Sequence, residues 1–149
     1  MIRKAKLEDV NYIKTIIDQY AEKHELLPRS FAEIIAHIRD FFVYEKKGKV
    51  KGCIALHFSW TDMGEIRSLA VAKEHHGNGV GKELLQHALA EAGDMNLKKV
   101  FTLTYRQGFF EKSNFKVIDK SELPQKIWGD CVNCTKFPNC DETALELLL

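Results

Sequence analysis

The chain has 149 residues, 45% of them hydrophobic and 29% charged, the profile of a soluble globular protein that fits one domain better than two. Its 22 basic residues face 21 acidic ones for a formal net charge of +1, so no general pull toward nucleic acid or an anionic membrane exists and any anion site has to be local. Glu8 and Asp9 interrupt the basic N-terminus before any apolar stretch, and no window approaches the roughly 18 apolar residues of a membrane span; a cytoplasmic location is expected, where the four cysteines stay mostly reduced.

Residues 2–5 read as a short first strand. Over 8–24 the apolar positions Val10, Ile13, Ile16, Ile17, Tyr20 and Ala21 recur at helical spacing, with Glu8 and Asp9 at the positive end. Leu26-Leu27-Pro28 breaks the pattern. Ser30 and Glu33 then form an S-x-x-E capping box, which opens a second helix with Ile34, Ile35, Ile38 and Phe41 on one face. Residues 42–45, 50–60 and 65–71 read as an antiparallel meander around the turns Lys46-Lys47-Gly48-Lys49 and Thr61-Asp62-Met63-Gly64. A glycine-rich turn then runs into an amphipathic helix that buries Leu84, Leu85, Ala88 and Leu89. A strand over 100–105, a short helix over 109–113 and a closing strand over 115–119 follow. The tail carries Ile127 and Trp128, three cysteines and a last short helix opened by Asp141. The alternation points to an α/β (α+β) fold. A single domain over 1–149 is expected, with 129–149 as a cysteine-containing C-terminal extension.

The segment His75-His76-Gly77-Asn78-Gly79-Val80-Gly81-Lys82 joins strand to helix. Glycines let backbone approach a ligand, and the unpaired N–H groups of a helix N-terminus point at an anion. The spacing fits neither a P-loop nor a dinucleotide fingerprint. A tight structural connection is the bland alternative.

The run is similar to the acetyl-CoA signature of the GCN5-related N-acetyltransferase (GNAT) family, [Q/R]-x-x-G-x-[G/A] after a strand ending in L-x-V. Leu69-Ala70-Val71 match the strand end and Gly79-Val80-Gly81 the glycines; His76 stands where the family usually has Arg or Gln. Phe109-Phe110-Glu111-Lys112-Ser113-Asn114-Phe115 is like the family's F-[YF]-E-K-x-G-F. The resemblance covers nearly the whole chain. It implies a central, mixed, largely antiparallel twisted sheet flanked by helices, with a splayed strand pair for acetyl-CoA as cosubstrate. Leu69, Ala70, Val71, His76, Gly77, Asn78, Gly79, Val80, Gly81 and Lys82 would bind it.

Arg29, immediately before a helix N-terminus, and Arg67, on a strand with Glu65, Leu69 and Val71 on the same face, could clamp an acidic amino acid. Each can equally be a surface charge or a structural ion pair. The segments around Leu26-Leu27-Pro28-Arg29-Ser30, Glu65-Ile66-Arg67-Ser68 and Lys126-Ile127-Trp128 look like short bacterial N-acetylglutamate synthases of arginine biosynthesis. That resemblance implies Arg29, Ser30 and Arg67 as binders of an amino-acid substrate, with Lys126 and Trp128 as further candidates, and L-glutamate as acceptor. Glutamine, another amine, or a non-catalytic acetyl-CoA-binding module are the alternatives.

The chemistry needs a proton sink, an oxyanion donor and a thiolate exit. Glu65, at the head of the signature strand, is the first candidate base, ahead of His75 and His76, which are placed near phosphate. Many family members carry a tyrosine where this chain has Phe110, and Tyr105 is the nearest substitute acid. Cys131-x2-Cys134-x5-Cys140 could supply three thiolates to zinc or an iron–sulfur centre or act in redox switching, but no fourth Cys or nearby His completes a set; ordinary reduced thiols are the reading preferred, and no metal is expected. Cys53 is expected to be buried. The apolar end 145–149 can pack on its own chain or on a second copy, which leaves a homodimer open.

Overall fold

The computed structural model describes residues 1–123 and 141–149; Lys126, Trp128, Cys131, Cys134 and Cys140 lie outside them. The chain order is β1 (Ile2–Lys4), α1 (Val10–Ala21), α2 (Phe31–Ala36), β2 (Phe41–Lys46), β3 (Lys49–Trp60), β4 (Met63–Val71), α3 (Val80–Asp94), β5 (Lys99–Thr104), α4 (Gln107–Glu111), β6 (Lys116–Ile118) and β7 (Thr143–Leu148). The strands form one sheet in the order β1-β2-β3-β4-β5-β7-β6. Every neighbouring pair is antiparallel except β4 and β5, which α3 joins as a parallel crossover.

Each sheet face is covered by the apolar side of a helix. On one, α3 buries Leu84, Leu85 and Ala88 against Ile54, Leu56, Ile66 and Val100. On the other, α1 buries Ile13, Ile16 and Ile17 against Val43, Cys53, Ala55 and Ala70, with Ile34 of α2 beside them. Each fully buried Ile or Leu contributes about 1.5–3 kcal/mol of transfer free energy. Burial pushes the Cys53 thiol up to about 12, which keeps it protonated. Among the described residues no helix is long and apolar enough to cross a membrane.

Three local expectations are corrected. The second helix does not run on to Phe41: it stops at Ala36, a 3-10 turn takes Ile38–Asp40, and Phe41 opens β2. Ile35, expected on the apolar face, is exposed. The segment after Asp141 is a strand instead of a helix. Its Ala, Leu and Glu residues favour helix, but β5 offers a six-residue antiparallel register from Thr104↔Thr143 to Lys99↔Leu148, and that pairing overrides local preference. Leu145 is therefore buried in its own sheet.

The third correction concerns β4. Cys53 pairs with Ala70 and Ala55 with Arg67, so Ser68 and Leu69 together oppose the single residue Ile54. Ser68 takes a left-handed φ of 53° at this bulge. The extra residue flips the alternation. Glu65 and Arg67 stay on the α1 side, whereas Leu69 and Val71 pack with the α3-side core, not beside the arginine.

Candidate active site

The ladder between β4 and β5 begins at Met63↔Lys99 and ends at Ile66↔Thr102, although β4 continues to Val71 and β5 to Thr104. The Thr102 hydroxyl donates to the Ile66 carbonyl at 3.0 Å where the strands part. Beyond that point the edge of β4 that faced β5 has no strand beside it. A cleft of about 410 Å³ opens there, walled by residues 66–71 on one side and by Thr102, Leu103, Thr104 and Arg106 on the other.

The glycine turn closes one end of the cleft. Gly77 and Gly79 adopt φ of 81° and 77°, a region that costs an L-residue with a side chain roughly 1–2 kcal/mol. No atom lies within 4 Å of where a Cβ would stand on either. The glycines thus serve the backbone path and leave open space above it. Gly79 is the N-cap of the 15-residue α3 and supplies no side-chain cap, so the first amides of that helix are left for a ligand. His75, His76, Gly77, Gly79, Val80, Gly81 and Lys82 all line the cleft. Close approach of the Lys73 ammonium holds the exposed Lys23 ammonium below the ordinary lysine value.

His76 does not reach outward as an Arg or Gln would. Its Nε2 lies 2.8 Å from the Val71 carbonyl and 2.6 Å from the Tyr20 hydroxyl, which itself lies 2.6 Å from that carbonyl. Two protons satisfy all three atoms: the Tyr20 hydroxyl donates to the Val71 carbonyl, and His76, with its proton on Nε2, donates to the tyrosine oxygen and that carbonyl. The carbonyl is available because β5 has already turned away. Tyr20 counted in the sequence only as an apolar position of α1. Arg106 was not foreseen either: its guanidinium lies 5.3 Å from the Tyr20 ring centroid and pairs with Glu25 at 3.5 Å, linking the two sides of the cleft.

A second, smaller pocket of about 120 Å³ lies on the α2 side, lined by Arg29, Glu33, His37, Asp40, Arg67 and Ser68 among others. Arg67 and Ser68 line the large cleft as well, so the two spaces meet at the bulge. The structure thereby brings Arg29 and Arg67 to one pocket. Arg67 Nε donates to Glu65 Oε1 at 2.6 Å, and the Glu65 carboxylate is buried beside it. Arg29 pairs with Glu33 at 3.4 Å. Ser30 is committed to its capping box: its hydroxyl accepts the Glu33 amide at 3.1 Å, and its own amide donates to the Glu33 carboxylate. The Tyr105 hydroxyl donates to Asp141, and its neighbours Thr104 and Arg106 line the cleft.

A model of the acetyltransferase (GNAT) family matches residues 7–115. An uncharacterised N-acetyltransferase of Chlorobaculum tepidum is 44% identical over 97% of this chain and 93% of its own length. An amino-acid acetyltransferase of Mycobacterium tuberculosis is 35% identical over 87% of this chain and 76% of its own. In three dimensions the chain superposes on N-acetylglutamate synthase from Neisseria gonorrhoeae, solved with coenzyme A and N-acetyl-glutamate. The TM-score is 0.91 at 29% identity, over 100% of this chain and 35% of that one.

Proposed function

The chain belongs to the GNAT acetyltransferase family, and from that premise we propose that it moves the acetyl group of acetyl-CoA onto the α-amine of an amino acid, with L-glutamate as the acceptor. The observation that carries this reading is the shared wall: Arg67 and Ser68 line both the cleft of the glycine turn and the pocket that holds Arg29. A long cosubstrate in the first space and a small carboxylate in the second would meet at the β4 bulge. The relatives named as amino-acid acetyltransferases support an amino acid as acceptor.

The diphosphate would lie on the amides of Gly77 to Lys82 and the pantetheine in the gap between β4 and β5. Arg29 and Arg67 supply the cationic wall for the acceptor carboxylates. The α-amine must lose a proton before it attacks. Glu65, through a water, is the group to take it, and Arg67 holds the Glu65 carboxylate in position. Attack forms the N–C bond and a tetrahedral oxyanion, which the backbone N–H groups of Leu69 to Val71 on the open edge of β4 would stabilise. Collapse breaks the C–S bond and releases the CoA thiolate; a thiol pKa of about 8.5 makes that exit feasible without a dedicated acid. Tyr105, held by Asp141, is the candidate to return a proton to sulfur. Lys126 and Trp128 remain candidates for contact with the amino acid.

The test is acetyl-CoA turnover against a panel of amino acids and polyamines, with the product identified by mass spectrometry. Selective N-acetylation of glutamate is expected, with Arg29→Ala raising the glutamate KM roughly 10–100-fold. Selective turnover of glutamine or another amine would reassign the acceptor. CoA binding with no product from any amine would make the chain a non-catalytic acetyl-CoA-binding module.

A further inference from the structure

Three potential metal ligands converge beside the smaller pocket. His37 closes α2, Asp40 ends the 3-10 turn three residues later, and His57 reaches the same point from β3. Asp40 Oδ2 lies 2.9 Å from His57 Nδ1 and 3.6 Å from His37 Nδ1. The two rings meet edge to face with centroids 5.2 Å apart. All three ligand atoms fall within 4.8 Å of one another. Tetrahedral zinc, with bonds of roughly 2.0–2.2 Å, sets its donor atoms roughly 3.3–3.5 Å apart. The two separations from Asp40 bracket that value.

We propose that His37, Asp40 and His57 bind a divalent ion of the zinc type in the wall of the smaller pocket. Two imidazoles and one carboxylate favour a borderline ion such as Zn²⁺ or Co²⁺ over Mg²⁺ or Ca²⁺, which select oxygen. The histidines ligate as neutral rings through Nδ1, releasing any proton held there. Asp40 brings a carboxylate to the two imidazoles, while Glu33 and Glu65 are already engaged with Arg29 and Arg67. Glu65 is also the cross-strand partner of His57. The tight turn fixes His37 and Asp40 relative to each other, and β3, an inner strand, fixes the backbone of His57. His37 and Asp40 also line the pocket shared with Arg29 and Arg67, so a bound ion would change the charge of that pocket.

The site is tested by equilibrium dialysis of the full chain against ZnCl₂, which needs no turnover and so stands apart from the acceptor assignment. Cys131, Cys134 and Cys140 can hold an ion of their own, so the measurement is repeated with all three changed to Ser. One ion per chain is expected to remain in that triple variant. Its affinity should fall about tenfold or more on adding His57→Gln or Asp40→Asn, since even outer-shell changes cost that much. His37→Asn supplies a variant at a half-exposed side chain, 49% accessible, where the fold is not at stake. Co²⁺ should give visible d–d absorption without a thiolate charge-transfer band. Absence of a retained ion in the triple variant, or retention unchanged by His37→Asn and His57→Gln, would overturn the proposal.

Discussion

His76 is held by Tyr20, 56 residues earlier in the chain, through a 2.6 Å contact between its Nε2 and the tyrosine hydroxyl, over the Val71 carbonyl. The pair ties α1 to the end of β4 at the place where β4 has lost its strand neighbour. Tyr20→Phe keeps the ring and removes that tie. Expected outcomes are a loss of about 0.5–1.5 kcal/mol in urea unfolding, since His76 Nε2 and the Val71 carbonyl still have each other when the hydroxyl is gone, and a rise of several-fold in the acetyl-CoA KM. The acceptor KM should stay near its starting value. Steady-state kinetics with each substrate varied in turn separates these effects.

Gly79 tests the cradle itself. With φ at 77° and open space above it, Gly79→Ala meets no clash, so its cost is backbone strain of roughly 1–2 kcal/mol. The strain falls on the turn that leads into α3. Titration of CoA by calorimetry should show weaker binding, while the far-ultraviolet circular dichroism spectrum is unchanged.

Arg67 joins the two spaces and holds Glu65, so its replacement should act on both acceptor binding and rate. Arg67→Lys keeps the charge but loses the planar fork that bonds Glu65 through Nε. We expect the acceptor KM to rise and kcat to fall, by roughly tenfold or more together. Arg29→Ala should move the acceptor KM alone. Glu65→Gln should lower kcat by roughly 10²–10⁴-fold if it is the base. A fall of less than threefold in kcat would remove Glu65 from the chemistry.

Stability has an acid limb with a nameable source. Hydrogen bonding from Arg3 holds the Asp9 carboxyl below its ordinary value, against the opposing effect of burial. A depressed carboxyl contributes stability that is fully present above about pH 4 and is lost as pH falls through the folded-state value. Asp9→Asn should therefore lower stability at neutral pH by about 1–3 kcal/mol and flatten its decline below pH 4. Urea midpoints measured at pH 7 and pH 3 check both halves. Equal losses at the two pH values would contradict the linkage.

The parts of the molecule legible in the sequence are those where local chemistry leaves a residue mark. The glycine turn was legible because only glycine takes positive φ cheaply, and Gly77 and Gly79 do so. The α2 cap was legible because Ser30 and Glu33 satisfy each other's backbone within one turn. The bulge was not, since Ser68 enters the left-handed region with no glycine to announce it, and the face exchange of Leu69 and Val71 followed unseen. The β7 strand was hidden for a different reason: its composition favours helix, and its pairing with β5 is a nonlocal event. The joint lining by Arg67 and Ser68 is likewise a property of two spaces meeting, which spacing along one strand does not encode.

The insertion of β7 between β5 and β6 has a consequence for synthesis. β5 emerges from the ribosome before β6, yet its outer neighbour is the strand over Thr143–Leu148, made after both. Until β7 emerges, β5 presents an unpaired edge of apolar strand, the kind of edge that seeks partners on other chains. The wall of the cleft opposite β4 therefore gains its outer support only after β6 has been made. Such nascent chains should depend on shielding of the β5 edge, and emergence of β7 should end that dependence.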